Sequence, residues 1–320
     1  MTETSRLKQL LSDEYDPDIA TVICGTCAAD IAEGLDICPV CGGKAVLPTI
    51  GDLEKRLPIG MDIDGSLQKS FDIIPLNFNL TRKIDRVMIK ARRDIPLHQY
   101  ISLILAHTLT SIGDRDLTKF NIDRIMSILD EMYAGDIYYM YAYLRIITLG
   151  NTITLKGVEC PSGKHSFTYP ADLSSLGIVT YDSVESITKS IKLRDGIEMG
   201  SNTRMTLKMR PTKWKAARSM NASNAGESDF FASMMETCVV GIDDLPEGAQ
   251  ITSLEVAKMS QYDIKLCQEA INLLEAGPRW FVEGNCPKCG EHFYYALDWT
   301  YDSFFELSYT SPRRRSHTTK

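Results

Sequence analysis

The chain has 320 residues, 44% hydrophobic and 24% charged, with a formal net charge of −7; that length exceeds what one hydrophobic core usually supports, so two domains plus appendages are expected. The acidic balance argues against general nucleic-acid binding, because neutralising phosphates needs an excess of Lys and Arg. No apolar run reaches the length of a membrane span, and Met1 to Leu11 lack the apolar stretch of an export signal, so neither a span nor standard export is expected.

Residues 1–20 read as a flexible arm and residues 21–50 as a zinc-ribbon module. The nine cysteines are spread along the chain, with Cys238 and Cys267 inside apolar helical patterns, which is not the layout of a disulfide scaffold. Cys24-Gly-Thr-Cys27 and Cys38-Pro-Val-Cys41-Gly42-Gly43 are instead two C-x-x-C knuckles. Knuckles of this kind present four thiolates tetrahedrally to zinc, and glycines after the cysteines let backbone amides approach the sulfurs. An iron centre or a disulfide pair are the competing occupants. With every ligand from protein there is no open position for substrate, so the ion's work is to fold a module too small for its own core.

Residues 51–70 read as a linker, broken by Pro58, Gly60 and Gly65. Two tandem copies of a helix-rich α+β unit then follow, over 71–180 and 181–305, each ending in a cysteine-knuckle β-hairpin. A helix over Asp136–Leu149 and another over Asp263–Ala276 each begin with Asp-Ile and run to a glycine, Gly150 and Gly277. Their apolar positions coincide at helical spacing: Ile137, Met140, Leu144, Ile147 against Ile264, Cys267, Ile271, Leu274. Each is followed by a β-prone run (Thr152–Val158; Trp280–Val282), a Cys-Pro turn, and an aromatic strand (Phe167, Tyr169; Phe293, Tyr295), then Asp172 or Asp298. Upstream, Leu97–Ile112 and Phe230–Ile242 read as helices, and Phe71–Phe78 and Met205–Met209 as strands entering basic helices. So many ordered matches point to an internal repeat.

The turn Cys286-Pro-Lys-Cys289-Gly290 is a zinc knuckle with only two ligands, and its counterpart reads Cys160-Pro-Ser-Gly-Lys-His165. If the two turns meet, Cys160, His165, Cys286 and Cys289 complete a Cys3His zinc site and raise the zinc content from one to two. The other reading is a decayed knuckle, with Cys286 and Cys289 finding another ligand such as His292, or none.

No catalytic constellation stands out: there is no H-E-x-x-H, phosphate loop, G-x-S-x-G or GxGxxG, so an enzyme is not expected. His98 and His107 read as satisfied helix residues, and Asp172 and Asp298 as turn or capping groups. Two basic stretches, one with Arg82, Lys83, Arg86 and Lys90, the other with Arg210, Lys213, Trp214 and Lys215, read either as solvated helix faces or as docking surfaces for an acidic partner. Residues 306–320, with Arg313-Arg314-Arg315, read as a basic disordered tail.

At Tyr143-Leu-Arg-Ile-Ile-Thr-Leu-Gly150, Cys160-Pro-Ser-Gly-Lys-His165 and Ala171-Asp-Leu173 the sequence resembles the baseplate hub subunit and hub-assembly proteins of T-even-type contractile-tailed phages. Arg145, Thr148, Gly150, Cys160, Asp172 and Leu173 are the matching positions. The chain departs from the pattern at Gly163, where the second knuckle cysteine would stand, so metal binding there rests on His165. The resemblance covers about residues 70–180 well and 200–305 more faintly, and leaves out the amino-terminal zinc module. It implies a structural virion component or assembly factor of the baseplate hub, made in the host cytoplasm and bound to other tail proteins in a large assembly, with nucleic acid not the expected partner. The alternative is a zinc-ribbon nucleic-acid-binding or transcription-associated protein. An adaptor of the ubiquitin-ligase kind ranks third, the ligand spacing being too short for two interleaved zincs.

Overall fold

A computed structural model describes residues 21–23, 30–32, 37–40, 47–63, 66–90, 96–219, 227–243, 245–246, 248–298 and 304–305. The chain divides into two compact units, 1–47 and 48–320. In the first, β1 (Thr21–Ile23) and β2 (Asp30–Ala32) pair as an antiparallel ladder. The arm expected over 1–20 and the tail over 306–320 lie outside the described residues, as do Cys24, Cys27 and Cys41.

The second unit is a mixed α/β fold compatible with the expected α+β class. It opens with a one-turn helix, α1 (Ile50–Leu53), whose N-cap Thr49 and Asp52 form a capping box. β3 (Arg56–Ile63) and β4 (Ser66–Ile73) follow, so the stretch expected to be a linker over 51–70 is mostly a β-hairpin. The reason is packing: Leu57 and Ile59 are almost fully buried, and Gly60 is accommodated at a bulge in the register between Arg56 and Met61 rather than ending the strand. After α2 (Phe78–Lys90) and α3 (Leu97–Thr108), the chain passes directly into β5 (Leu109–Ile112), which pairs with β4 and with the short β6 (Arg115–Asp116). The helix expected to continue to Ile112 therefore stops at Thr108, whose hydroxyl bonds back to the Ile104 carbonyl.

Helices α4 (Ile122–Glu131) and α5 (Ala134–Leu149) complete this part. α5 is buried nearly all round and forms the centre of the larger core, with Phe71 meeting Tyr139 and Tyr143 edge-on. The hairpin of β7 (Thr152–Glu159) and β8 (Ser166–Asp172) follows, then a short 3-10 turn and β9 (Ile178–Val179).

The remainder holds a sheet of β10 (Lys189–Met199), β11 (Asn202–Met209) and β12 (Val239–Ile242), in that order. Helices α6 (Trp214–Ser219) and α7 (Glu227–Cys238) lie between β11 and β12 in the chain, and α7 again passes straight into a strand, where a helix to Ile242 was expected. Helices α8 (Ser253–Val256) and α9 (Gln261–Leu274), β13 (Gly277–Pro278), and the hairpin of β14 (Phe281–Asn285) and β15 (His292–Ala296) close the described fold. β13 pairs with β9. α9 ends at Leu274, before Gly277, because Gly277 is taken up in that pairing.

Two buried aspartates organise the two sheets in matching ways. Asp136, fully buried at the start of α5, accepts the backbone N–H groups of Ile59 at 2.8 Å and Gly60 at 3.0 Å, at the β3 bulge. Asp263, fully buried at the start of α9, accepts those of Arg194, Asp195 and Gly196, at a bulge of β10 between Lys192 and Ile197. A bulge leaves ladder donors unpaired, and a buried carboxylate satisfies them without water.

Candidate metal centre

The turn after β7 is closed by Cys160 N–H donating to the His165 carbonyl at 3.0 Å, and the turn after β14 by Cys286 N–H donating to the Glu291 carbonyl at 2.8 Å. Gly163 and Gly290 take the left-handed conformations that such tight turns need, with φ of 67° and 77°. Each turn thus folds its cysteines onto the end of a hairpin.

The hairpins pack against each other through their inward faces. Phe293 meets Phe167 and Tyr169 edge-on, with ring centroids 5.2 and 5.0 Å apart. Gly284 admits the contact, since a Cβ there would lie 2.6 Å from the Tyr169 hydroxyl. Stacking on this aromatic layer brings the two turns together. Cys160 Sγ lies 3.3 Å from Cys289 Sγ, and His165 Nε2 lies 3.2 Å from Cys286 Sγ. The ligand atoms of Cys160, His165 and Cys286 are all within 4.8 Å of one another, as are those of Cys160, Cys289 and Glu291. Cys160, His165, Cys286 and Cys289 therefore sit close enough to hold a metal ion. His292, weighed as a substitute ligand, faces Asn285 at 3.3 Å and Glu283 at 3.6 Å instead.

The donor set fits a soft to borderline cation. Around a tetrahedral zinc, bond lengths of about 2.3 Å to sulfur and 2.0–2.1 Å to nitrogen give ligand–ligand edges of roughly 3.5–3.8 Å, so the two shortest contacts would open slightly, while Cys289, which does not lie within 4.8 Å of all three other ligand atoms, would have to close on them. The backbone is arranged for thiolates: burial works to raise the Cys286 thiol, but N–H groups of Lys288 and Cys289, together with the His165 and Cys289 side chains, bring it down to about 6. The Glu291 N–H acts to lower Cys289, yet the adjoining Cys160 thiol and burial outweigh it and the thiol rises. By contrast, burial pushes Cys238 up to about 11 and Cys267 up to about 12, as expected of packing thiols.

No family model, curated protein or solved structure matches this chain.

Of the amino-terminal quartet, only Cys38 is described: it is fully buried, and its Sγ accepts the Val40 N–H at 3.4 Å, the same i+2 contact that Lys288 makes to Cys286.

The positions that carry the tail-protein resemblance, Cys160 apart, make internal packing and hydrogen-bond contacts. Arg145 is buried and donates to the carbonyls of Phe304 at 2.5 Å, Gly150 at 2.6 Å and Thr152 at 3.2 Å, which ties the end of α5 to the start of β7. The Thr148 hydroxyl accepts the Leu76 N–H, and the Gly150 N–H closes α5 on the Ile146 carbonyl. Asp172 caps the turn after β8 through Ser174, and Leu173 is fully buried.

Arg82, Lys83, Arg86 and Lys215 are exposed, while Arg210 and Lys213 are half-buried; the Lys90 side chain lies outside the described residues. Lys213 donates to the Glu131 carbonyl and sits 3.9 Å over the Tyr133 ring. Trp214, read with its basic neighbours as part of a solvated face or a docking surface, is a core residue instead: it is fully buried, donates to Ser102 Oγ at 2.7 Å, and packs beside His98 and Tyr138. A large ring following a Pro-Thr-Lys entry found its apolar partners in α3 and α5, a long-range contact that basic neighbours in sequence concealed. His98 is likewise internal, 2.9 Å from the Tyr138 hydroxyl, and burial lowers it to about 4.

Proposed function

We propose that this protein is a non-enzymatic structural or assembly component of a contractile phage tail baseplate, acting in the hub region and binding other tail proteins. In this reading residues 71–180 and 181–305 are two copies of one α+β unit, the residues around Cys38 form a zinc ribbon, and a second zinc staples the copies together. The observation that carries it is the meeting of Cys160 and His165 from one hairpin with Cys286 and Cys289 from the other. All four ligands come from protein, so the ion has the closed shell of a structural site.

Further support comes from the shared order of parts. Each copy has a buried aspartate that opens a helix and holds the amides of a strand bulge, a helix passing directly into a strand, and a terminal hairpin with a cysteine turn, the first of the two bulged strands, β3, lying ahead of residue 71. The motif residues from Arg145 to Leu173 serve to brace a helix against a hairpin, which suits a scaffold. The exposed Arg82, Lys83 and Arg86 on α2 offer a surface for an acidic partner protein. No helix among the described residues is long and apolar enough to cross a membrane.

The expected outcome is co-purification with virions or tail assemblies, with assembly in the host cytoplasm, and about two zinc ions per chain. Tight duplex binding that weakens steeply with salt would replace this reading with the nucleic-acid alternative. One zinc ion per chain, retained when Cys286 is changed to Ser, would remove the second site.

A further inference from the structure

We propose that Cys160 and Cys289 form an oxidation site, at which hydrogen peroxide couples the two thiols into a disulfide that bridges the stacked hairpins. The coupling rests on the sulfur geometry; the accompanying loss of the metal rests on the reading of the cluster given above.

A C-x-x-C motif ordinarily suggests a disulfide within the motif, here Cys286–Cys289. The packing favours a different pairing. Cys289 Sγ touches Cys160 Sγ at 3.3 Å, while Cys286 Sγ is engaged by His165 Nε2 at 3.2 Å. A disulfide of about 2.05 Å requires the contacting sulfurs to close by roughly 1.3 Å. Access separates the roles, because Cys289 is exposed and Cys160 is buried. The oxidant therefore meets Cys289 first, and Cys160 is placed to resolve it.

The chemistry balances. The Cys289 thiolate attacks one oxygen of the peroxide; an S–O bond forms, the O–O bond breaks, and hydroxide leaves with Cys289 as a sulfenic acid. The Cys160 thiolate then attacks that sulfur; the S–S bond forms, the S–O bond breaks, and a second hydroxide leaves. Both hydroxides take protons from solvent to become water, and the two electrons lost by sulfur are those gained by the peroxide oxygens. Of the four ligands only His165 and Cys286 then remain, too few to retain zinc. The aromatic layer of Phe167, Tyr169 and Phe293 and the new covalent bond keep the hairpins stacked after the ion has left.

The test treats the zinc-loaded full chain with hydrogen peroxide, blocks the remaining thiols by alkylation, and maps disulfide-linked peptides by mass spectrometry while released zinc is read with a colorimetric chelator. A peptide joining Cys160 to Cys289 is expected, persisting in Cys286→Ser and absent from Cys289→Ser. A dominant Cys286–Cys289 linkage, or oxidised Cys289 with no linked peptide, would overturn the proposal. Metal-free protein treated in parallel separates the two ideas. A linked peptide there, in a chain that never binds zinc at these residues, removes only the metal reading, whereas no linked peptide in either form removes the oxidation site.

Discussion

Replacing Asp136 with Asn isolates the balance that the structure sets at the β3 bulge. The carboxylate is fully buried; desolvation is the larger influence and pushes it up to about 6, against the two N–H bonds from Ile59 and Gly60 that favour the charged form. In the unfolded chain the same group returns to its ordinary value near 3.8. Between those values the native state holds a proton that the unfolded state releases, so wild-type stability gains from Asp136 as pH falls through about 6, and the gain is complete below about 4. From about pH 8 to about pH 5 this gain is roughly 1.4 kcal/mol. Asn cannot titrate and offers one carbonyl to two donors, so it leaves an N–H unpaired at a cost of about 1–3 kcal/mol. The expected result is a destabilisation near that size at about pH 5 that shrinks by roughly 1.4 kcal/mol at about pH 8. Urea unfolding of both proteins at the two pH values measures it, and the difference between them cancels acid effects common to both. A penalty that grows with pH would show that the N–H bonds outweigh desolvation, and the reasoning would fail.

Gly135→Ala tests a close backbone approach, since a Cβ there would sit 2.2 Å from the Ala276 carbonyl oxygen and 2.5 Å from its carbon. The helix-propensity gain of about 1 kcal/mol is expected to be overwhelmed and Tm to fall; a higher Tm would show that the linkage between α5 and β13 gives way easily. Trp214→Phe removes the bond to Ser102 Oγ from a buried site and should cost about 1–3 kcal/mol, read by denaturant unfolding, with no change if the indole N–H were solvated. His98, lowered to about 4 by burial, excludes a proton that the unfolded chain accepts; its contribution is present above about pH 6.5 and is lost as pH falls through about 4. His98→Gln should therefore lose stability less steeply on acidification, and an unchanged slope would refute the assignment.

What the sequence disclosed, and what it hid, follows the range of the interactions concerned. The helix around Asp136–Leu149 was legible because its period and its closing Gly150 are local, and the helix runs from Ala134 to Leu149. The two hairpins were legible because Cys-Pro turns and alternating aromatics announce them. Asp136 and Asp263 were visible only as first-turn acids suited to a helix dipole. Their partners, the bulge amides of β3 and β10, are 76 and 69 residues away at Gly60 and Arg194, a distance over which no spacing rule operates. The same holds for Trp214, whose basic neighbours suggested a surface. The segment 51–70 failed for another reason: Pro58 and Gly60 weaken strands as isolated residues, but a bulge accepts them.

On the proposed reading that the stacked hairpins are copies of one unit sharing an ion, Gly163 in place of a second knuckle cysteine has a physical sense. Two complete knuckles would bring four thiolates to one divalent cation and leave a net charge of about −2 in a partly buried site. An imidazole ligand in one corner would leave three thiolates around such a cation, so the cluster would carry about −1 and its desolvation cost would be smaller. It also leaves Cys160 and Cys289 as the contacting sulfurs. On the reading that the two hairpins descend from one repeated unit, the difference between the copies would match the proposed shared site to a single ion and leave Cys160 and Cys289 as the pair proposed to couple.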